Sequence, residues 1–341
     1  MVFLREIGKS EVLGLNRKKD KVRTHRQMTL RGAAVEAFKS SALISWRSNG
    51  KLQQTIGGCI EKTGTTLHSG NQSTVRIWPE LAGKGRYFDF NSRLIPASID
   101  FAEESPLCTT LRKDGHSVGT VEHLLSALEG IGVDNCRIEV INSDNDDPSA
   151  EIPIFDGSAR EWVEAIEQVG VTAAMDFNGK SCDKVAPYLT QPVHVSKGDS
   201  VISAFPSKQI SISYGINFPQ VPALSLQWFS SVFSTDSFYS KQIAPSRTFC
   251  IYEEVEKMRS AGLIKGDSLE NAVVFSISKG LMNPPLRLPE EPCRHKILDL
   301  IGDISLFARN GSQGLPVANI IAYKGGHALH AEFVRQLSGT V

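Results

Sequence analysis

The sequence predicts an α+β protein of two similar domains, each a mostly antiparallel sheet with helices on one face, the two helix layers packing together to leave a groove between them. Two observations predict it. Short alternating segments are separated by Gly-rich turns and followed by segments of helical apolar period, and the second half repeats that order.

The elements follow in turn. Gln54–Ile60 and Thr74–Trp78 alternate as strands do, and the turns Lys62–Gly64 and His68–Gly70 give them hairpin character. Val121, Leu124, Leu125 and Leu128 then recur at helical spacing, and a strand over Cys136–Ile141, a turn at Asp156-Gly157 and an amphipathic helix over Ala159–Val169 complete the first half. A linker is expected near Gly170–Val185. Strands around Pro192–Val201 and Gln209–Phe218 open the second half. A strongly apolar helix over Arg294–Ala308, a strand over Ala318–Tyr323, the turn Gly325-Gly326-His327 and a helix over Ala331–Leu337 close it. The predicted domains are residues 51–180 and 186–338.

Residues 1–50 read as an extension, because Arg and Lys heavily outnumber Asp and Glu and no strand or core-helix pattern persists. The stretch opening at Met28 is rich in Ala, Ser and Arg, and reads either as an amphipathic helix like those of mitochondrial presequences or as a disordered tail.

Composition narrows the function classes. At 341 residues the chain can bury two cores and enclose a pocket. Lys plus Arg balance Asp plus Glu at 37 each, so no basic field exists to hold nucleic acid. No apolar run approaches the roughly 20 residues that span a bilayer. The six cysteines contain no C-x-x-C pair and read as reduced thiols. A small-molecule substrate and a monomeric protein are expected, with neither nucleic acid nor a transmembrane segment.

The chemistry concentrates in two segments. In RHKILDLIGDISLFAR (Arg294–Arg309), His295, Asp299 and Asp303 recur at i, i+4 and i+8 and share one stripe of a helix whose other faces are apolar. Buried carboxylates need a cation or donors. Thr120-Val121-Glu122-His123 opens the first-half helix at the matching place. Two imidazoles and a carboxylate suit Zn²⁺, whose catalytic sites take three protein ligands plus water, and His123, His295 and Asp299 supply that set. Glu122 is then placed to accept a proton from the attacking water, and His327 to protonate a departing amine with Asp303 orienting it.

Those residues lie within longer motifs. TGTTLHSG (Thr63–Gly70), TVEHLLSAL (Thr120–Leu128), GVDN (Gly132–Asn135), EIPIFDGSA (Glu151–Ala159), SRTF (Ser246–Phe249), RHKILDLIGD (Arg294–Asp303) and YKGGHAL (Tyr323–Leu329) occur in that order. From near Leu52 to near Leu337 the chain resembles the UDP-3-O-acyl-N-acetylglucosamine deacetylases of lipid A synthesis, and with its basic, presequence-like extension it resembles the plant members of that family, which implies a mitochondrial location. The resemblance implies zinc-dependent hydrolysis of the N-acetyl group, with zinc on His123, His295 and Asp299, Glu122 as general base, and His327 as general acid supported by Asp303. It further implies that Thr248 polarises the scissile carbonyl, Phe249 packs on the sugar, Lys296 contacts substrate, and a βαβ insertion near 249–274 forms a passage for the acyl chain. Within that insertion Val255, Met258 and Leu263 interleave with Glu254, Glu256 and Lys257 as in an amphipathic helix.

Two readings compete: the same fold acting on another N-acyl sugar, and a catalytically silent zinc or sugar-nucleotide binding protein. The second would have lost a ligand or the base, and neither is missing. No P-loop, dinucleotide fingerprint or H-E-x-x-H helix is present.

Overall fold

The computed structural model describes residues 43–103, 107–142, 147–233, 237–260 and 264–339. The presequence-like helix from Met28 and Leu263 of the insertion lie outside them.

Two five-stranded sheets dominate. The first contains β1 (Ile60–Thr65), β2 (Gln72–Pro79), β3 (Arg86–Phe90), β4 (Arg93–Pro96) and β5 (Cys136–Asn142), in the order β1-β2-β5-β3-β4. The second contains β6 (Val193–Lys197), β7 (Ser200–Pro206), β8 (Ser211–Phe218), β9 (Ser225–Val232) and β10 (Ala318–Tyr323), in the order β6-β7-β10-β8-β9. Position for position this is the same topology. In both, the last strand pairs parallel with the third and every other neighbour is antiparallel. Period-2 alternation gives each sheet one dry face: Val75 and Ile77 are buried on β2 between the half-exposed Thr74, Arg76 and Trp78, and Ile212, Tyr214 and Ile216 are buried on β8.

Six α-helices lie among the described residues: α1 (Glu122–Ile131), α2 (Arg160–Val169), α3 (Phe238–Gln242), α4 (Tyr252–Ser260), α5 (Glu291–Ile304) and α6 (His327–Ser338). Apolar side chains from both sheets and from α1, α2, α5 and α6 join one core. The two helix layers meet where α1 packs on α5. Glycine permits the close crossing: a Cβ built on Gly302 would lie 2.1 Å from the Glu122 carbonyl oxygen and 3.1 Å from its Cα. Two hydrogen bonds reinforce it, Ser126 Oγ donating to the Leu298 carbonyl at 2.7 Å and Tyr239 Oη donating to Ser126 Oγ at 2.8 Å. Gly302→Ala is therefore expected to lower stability by at least about 1–3 kcal/mol, the usual cost of overpacking, and to reduce turnover by forcing the helices apart. Thermal melting and a turnover assay on the same preparation check both.

Several elements differ from the sequence expectation. Folded structure reaches back into the predicted extension: Ile44–Leu52 is a strand, antiparallel to Asp183–Leu189, with Trp46 stacked on Phe307 at 5.3 Å. The segment Gln54–Ile60 divides at Gly57-Gly58-Cys59, its first part Gln54–Ile56 pairing with Val171–Ala173. The expected linker region thus holds the short strand Val171–Ala173 and the start of Asp183–Leu189. Pro192–Val201 is the start of the β6–β7 hairpin, turned at Gly198, whose φ of +63° suits glycine. The insertion has the expected order, Phe249–Ile251, α4 and Val273–Ser276, the two strands parallel.

Candidate active site

The sequence brings its chemistry to the crossing of α1 and α5. Glu122 and His123 form the first turn of α1, whose entry is marked by Thr120 in the left-handed region at φ +56° with its hydroxyl donating to Glu151 Oε1 at 3.1 Å. His295, Asp299 and Asp303 lie one turn apart along α5, all buried. Pro292 in the first turn suits the start of α5, where a backbone N–H has no helical partner.

His123, His295 and Asp299 converge, each offering a ligand atom within 4.8 Å of the others. His295 Nδ1 lies 3.0 Å from the Ser246 carbonyl, which can only accept, so the proton sits on Nδ1 and the Nε2 lone pair faces inward. There it meets Asp299 Oδ1 at 3.2 Å, with His123 Nε2 3.6 Å from the same oxygen. Asp299 Oδ1 is buried and accepts no hydrogen bond. Electron pairs directed at one another in a dry site call for a cation between them. Burial pushes the His295 imidazole down to about 3, with Asp299 pulling the other way, so the ring is neutral and competent as a ligand. Burial opposes ionisation of Asp299, yet its carboxyl is held well below the usual carboxylate range, with the Lys296 ammonium against it.

A second group, Asp303, His327 and His330, also offers atoms within 4.8 Å. Here protons occupy the gaps. Asp303 Oδ2 accepts from His327 Nδ1 at 2.8 Å and from His330 Nδ1 at 2.7 Å, and Oδ1 accepts from Thr109 Oγ1 at 2.5 Å. The residues of the first group thus fit a metal ion, and those of the second fit a proton relay. Burial disfavours charge on His327, yet the Asp303 carboxylate outweighs it and lifts the imidazole to about 10. The same pairing, against burial, holds Asp303 near 2. Burial raises Glu122, whose Oε2 accepts from the Thr109 backbone N–H at 2.9 Å while Oε1 lies 3.9 Å from His327 Nε2. A basic carboxylate and a protonated imidazole therefore stand side by side next to the candidate metal centre.

His327 is the first residue of α6, where the sequence placed a turn. Extended Gly326 ends the loop, and the His330 N–H bonds its carbonyl at 3.0 Å, starting the helix a turn before the apolar period becomes visible. Lys296 Nζ is 2.8 Å from Asp299 Oδ2 and 5.7 Å from the centre of the Phe249 ring. Phe249 packs edge-on against Phe218 at 5.6 Å. Thr248 is half-buried and fixed through its backbone, its N–H donating to the Gly157 carbonyl and its carbonyl accepting from the Val273 N–H, each at 2.7 Å.

The Ser246–Phe249 segment is anchored by a buried ion pair that the sequence did not reveal. Glu291 Oε1 accepts from Arg247 N at 3.0 Å and Nε at 2.9 Å, and Oε2 from Arg247 Nη2 at 3.1 Å and the Arg287 N–H at 2.7 Å. Removing one partner of such a pair leaves an uncompensated charge, so Glu291→Ala is expected to cost about 3–5 kcal/mol in chemical denaturation. Although burial opposes ionisation, Arg247 holds the Glu291 carboxyl below 4.5. Its stabilisation is complete above that pH and fades as pH falls through the lower folded value, so the gap between wild type and variant narrows on acidification.

Thr109, His330 and Tyr214 were also missed. Thr109 bridges Glu122 and Asp303 from an irregular segment without periodicity. His330 follows His327 at i+3, a spacing that would have placed both on one face had the helix been read from residue 327.

With this geometry described, comparison with known proteins is decisive. A family model described as UDP-3-O-acyl N-acetylglycosamine deacetylase matches residues 53–339. The chain belongs to this family. It is 58% identical over 299 residues to probable UDP-3-O-acyl-N-acetylglucosamine deacetylase 1, mitochondrial, of Arabidopsis thaliana, covering 88% of this chain and 92% of the relative. UDP-3-O-acyl-N-acetylglucosamine deacetylases of Trichormus variabilis, 42% identical over 84% of this chain and 98% of theirs, and of Synechocystis, 40% over 85% and 99%, are further relatives. The family is one of metal-dependent deacetylases, and the His and Asp groups above can bind a metal. No helix among the described residues is long and apolar enough to cross a membrane.

Proposed function

We propose that this protein hydrolyses the N-acetyl group of UDP-3-O-acyl-N-acetylglucosamine, releasing acetate and the free amine, an early step of lipid A biosynthesis. The observation that carries the reading is the unpartnered Asp299 Oδ1 facing the His295 lone pair 3.2 Å away, within a chain of the deacetylase family. His123, His295 and Asp299 would hold the metal, and zinc suits two imidazoles and a carboxylate. When bound, zinc supplies a Lewis acid for the water and the amide carbonyl.

The remaining steps belong to this chain. Glu122 takes a proton from the attacking water, its carboxylate made more basic by burial. His327, kept protonated by Asp303, gives its Nε2 proton to the leaving nitrogen, and without that proton an amine is a poor leaving group. Thr248 donates to the carbonyl oxygen as charge develops on it. Phe249 packs on the sugar, and Lys296 turns from Asp299 toward substrate oxygens. We assign the halves to residues 51–180 and 186–338, with the insertion near 249–274 receiving the acyl chain. The Arabidopsis relatives are named mitochondrial, and with the basic composition of residues 1–42 this supports a mitochondrial location.

The test is acetate release by purified protein from the 3-O-acylated UDP-sugar and from its non-acylated counterpart, with bound metal measured on the same sample. Turnover of the acylated substrate at much higher kcat/KM is expected. Equal rates would favour another N-acyl sugar, and no turnover by metal-replete protein would favour a binding role.

A further inference from the structure

We propose that His330, tethered by Tyr214, is a positioning residue that holds the Asp303 carboxylate against His327. The proposal rests on the reading of His327 as the proton donor.

Asp303 Oδ2 accepts two imidazole N–H bonds, from His327 at 2.8 Å and from His330 at 2.7 Å. An ionised carboxylate only accepts, so His330 carries its proton on Nδ1. Its other nitrogen, Nε2, then presents a lone pair, and Tyr214 Oη lies 3.0 Å away to donate to it. Tyr214 thereby fixes the tautomer that lets His330 reach Asp303. His330 and Tyr214 are both fully buried and neither touches the open side of the site, so their polar atoms are committed to this chain of bonds. The relay runs from β8 through α6 to α5 and ties the second sheet to the proton-transfer pair. Its space is reserved by a missing side chain: a Cβ on Gly325 would lie 2.7 Å from Tyr214 Oη and 3.2 Å from His330 Nε2.

On the opposite side Thr109 holds only Oδ1. Without His330 the carboxylate keeps one tether besides His327 and can swing about its Cβ–Cγ bond, carrying the His327 ring with it. A displacement on the order of 1 Å near the reacting atoms costs up to about 100-fold in rate.

The experiment compares His330→Ala, His330→Asn, His330→Gln and Tyr214→Phe in the full chain, measuring kcat and KM on the acylated UDP-sugar, bound metal and melting temperature. The amide nitrogen of Asn falls where Nδ1 was, whereas that of Gln falls nearer Nε2. The expected pattern is a kcat loss of at least about tenfold for Ala and Gln, recovery of most of it in Asn, a smaller loss for Tyr214→Phe, and KM and metal content near wild type throughout. A purely structural role would instead make kcat follow melting temperature or metal content, with Asn no better than Gln; that result, or wild-type kcat in His330→Ala, overturns the proposal. Inactive wild-type protein overturns the functional reading and this one together, whereas active wild type with indifferent His330 variants overturns this one alone.

Discussion

Glu122→Ala is expected to bind metal as the wild type does and to lose deacetylation by about 10²–10⁴-fold, the range for removal of a general base. The carboxylate lies beside the metal group without belonging to it: His123, His295 and Asp299 converge on one point, while Glu122 is held by the Thr109 N–H and faces His327. Metal retention and catalytic loss should therefore separate. Glu122→Gln sharpens the test, because the amide still offers an oxygen to Thr109 but is no base. Metal analysis and single-turnover rates on both variants check it, and undiminished turnover in either would remove Glu122 from the role.

Asp299→Ala should lose metal and activity together. The wild-type oxygen Oδ1 is buried without a hydrogen bond, a cost of about 1–3 kcal/mol that a bound cation removes. Activity should fall by more than the roughly 10–100-fold that follows loss of a metal site's outer hydrogen-bonding partner. Chelation should reduce wild-type protein to the same level, and added Zn²⁺ should restore wild type alone. Because a ligand that binds only the folded state stabilises it, Zn²⁺ should also raise the wild-type melting temperature and leave that of Asp299→Ala unmoved. A variant that titrates with one equivalent of zinc at wild-type affinity would displace Asp299 from the ligand set.

Much of this site was readable before any coordinates. His295, Asp299 and Asp303 share a helix, and helical geometry alone puts them on one stripe. His123 was placed by its match to that helix in a repeated order of elements, and the sheets bear the repeat out with the same strand order across each. What could not be read depends on contacts between elements remote in sequence. Thr109 meets Asp303 across 194 positions, and Tyr214 meets His330 across 116. Neither pairing leaves a period or a motif. Arg247–Glu291 escaped notice for the same reason, two common charged residues whose burial only the fold makes evident. The missed strand Ile44–Leu52 is a different case: only Ile44 of its nine residues is buried and Arg47, Ser48 and Lys51 are exposed polar ones, so it is held by backbone pairing and by Trp46 more than by an apolar face.

That strand sets how far the chain can be shortened from its N-terminal side. Ile44 is nearly inaccessible to solvent and faces Leu189, and the ladder continues through Ser48 opposite Val185. A truncation past Trp46 would strip the covering from Asp183–Leu189, the segment joining the two sheets, and leave Phe307 without its aromatic partner.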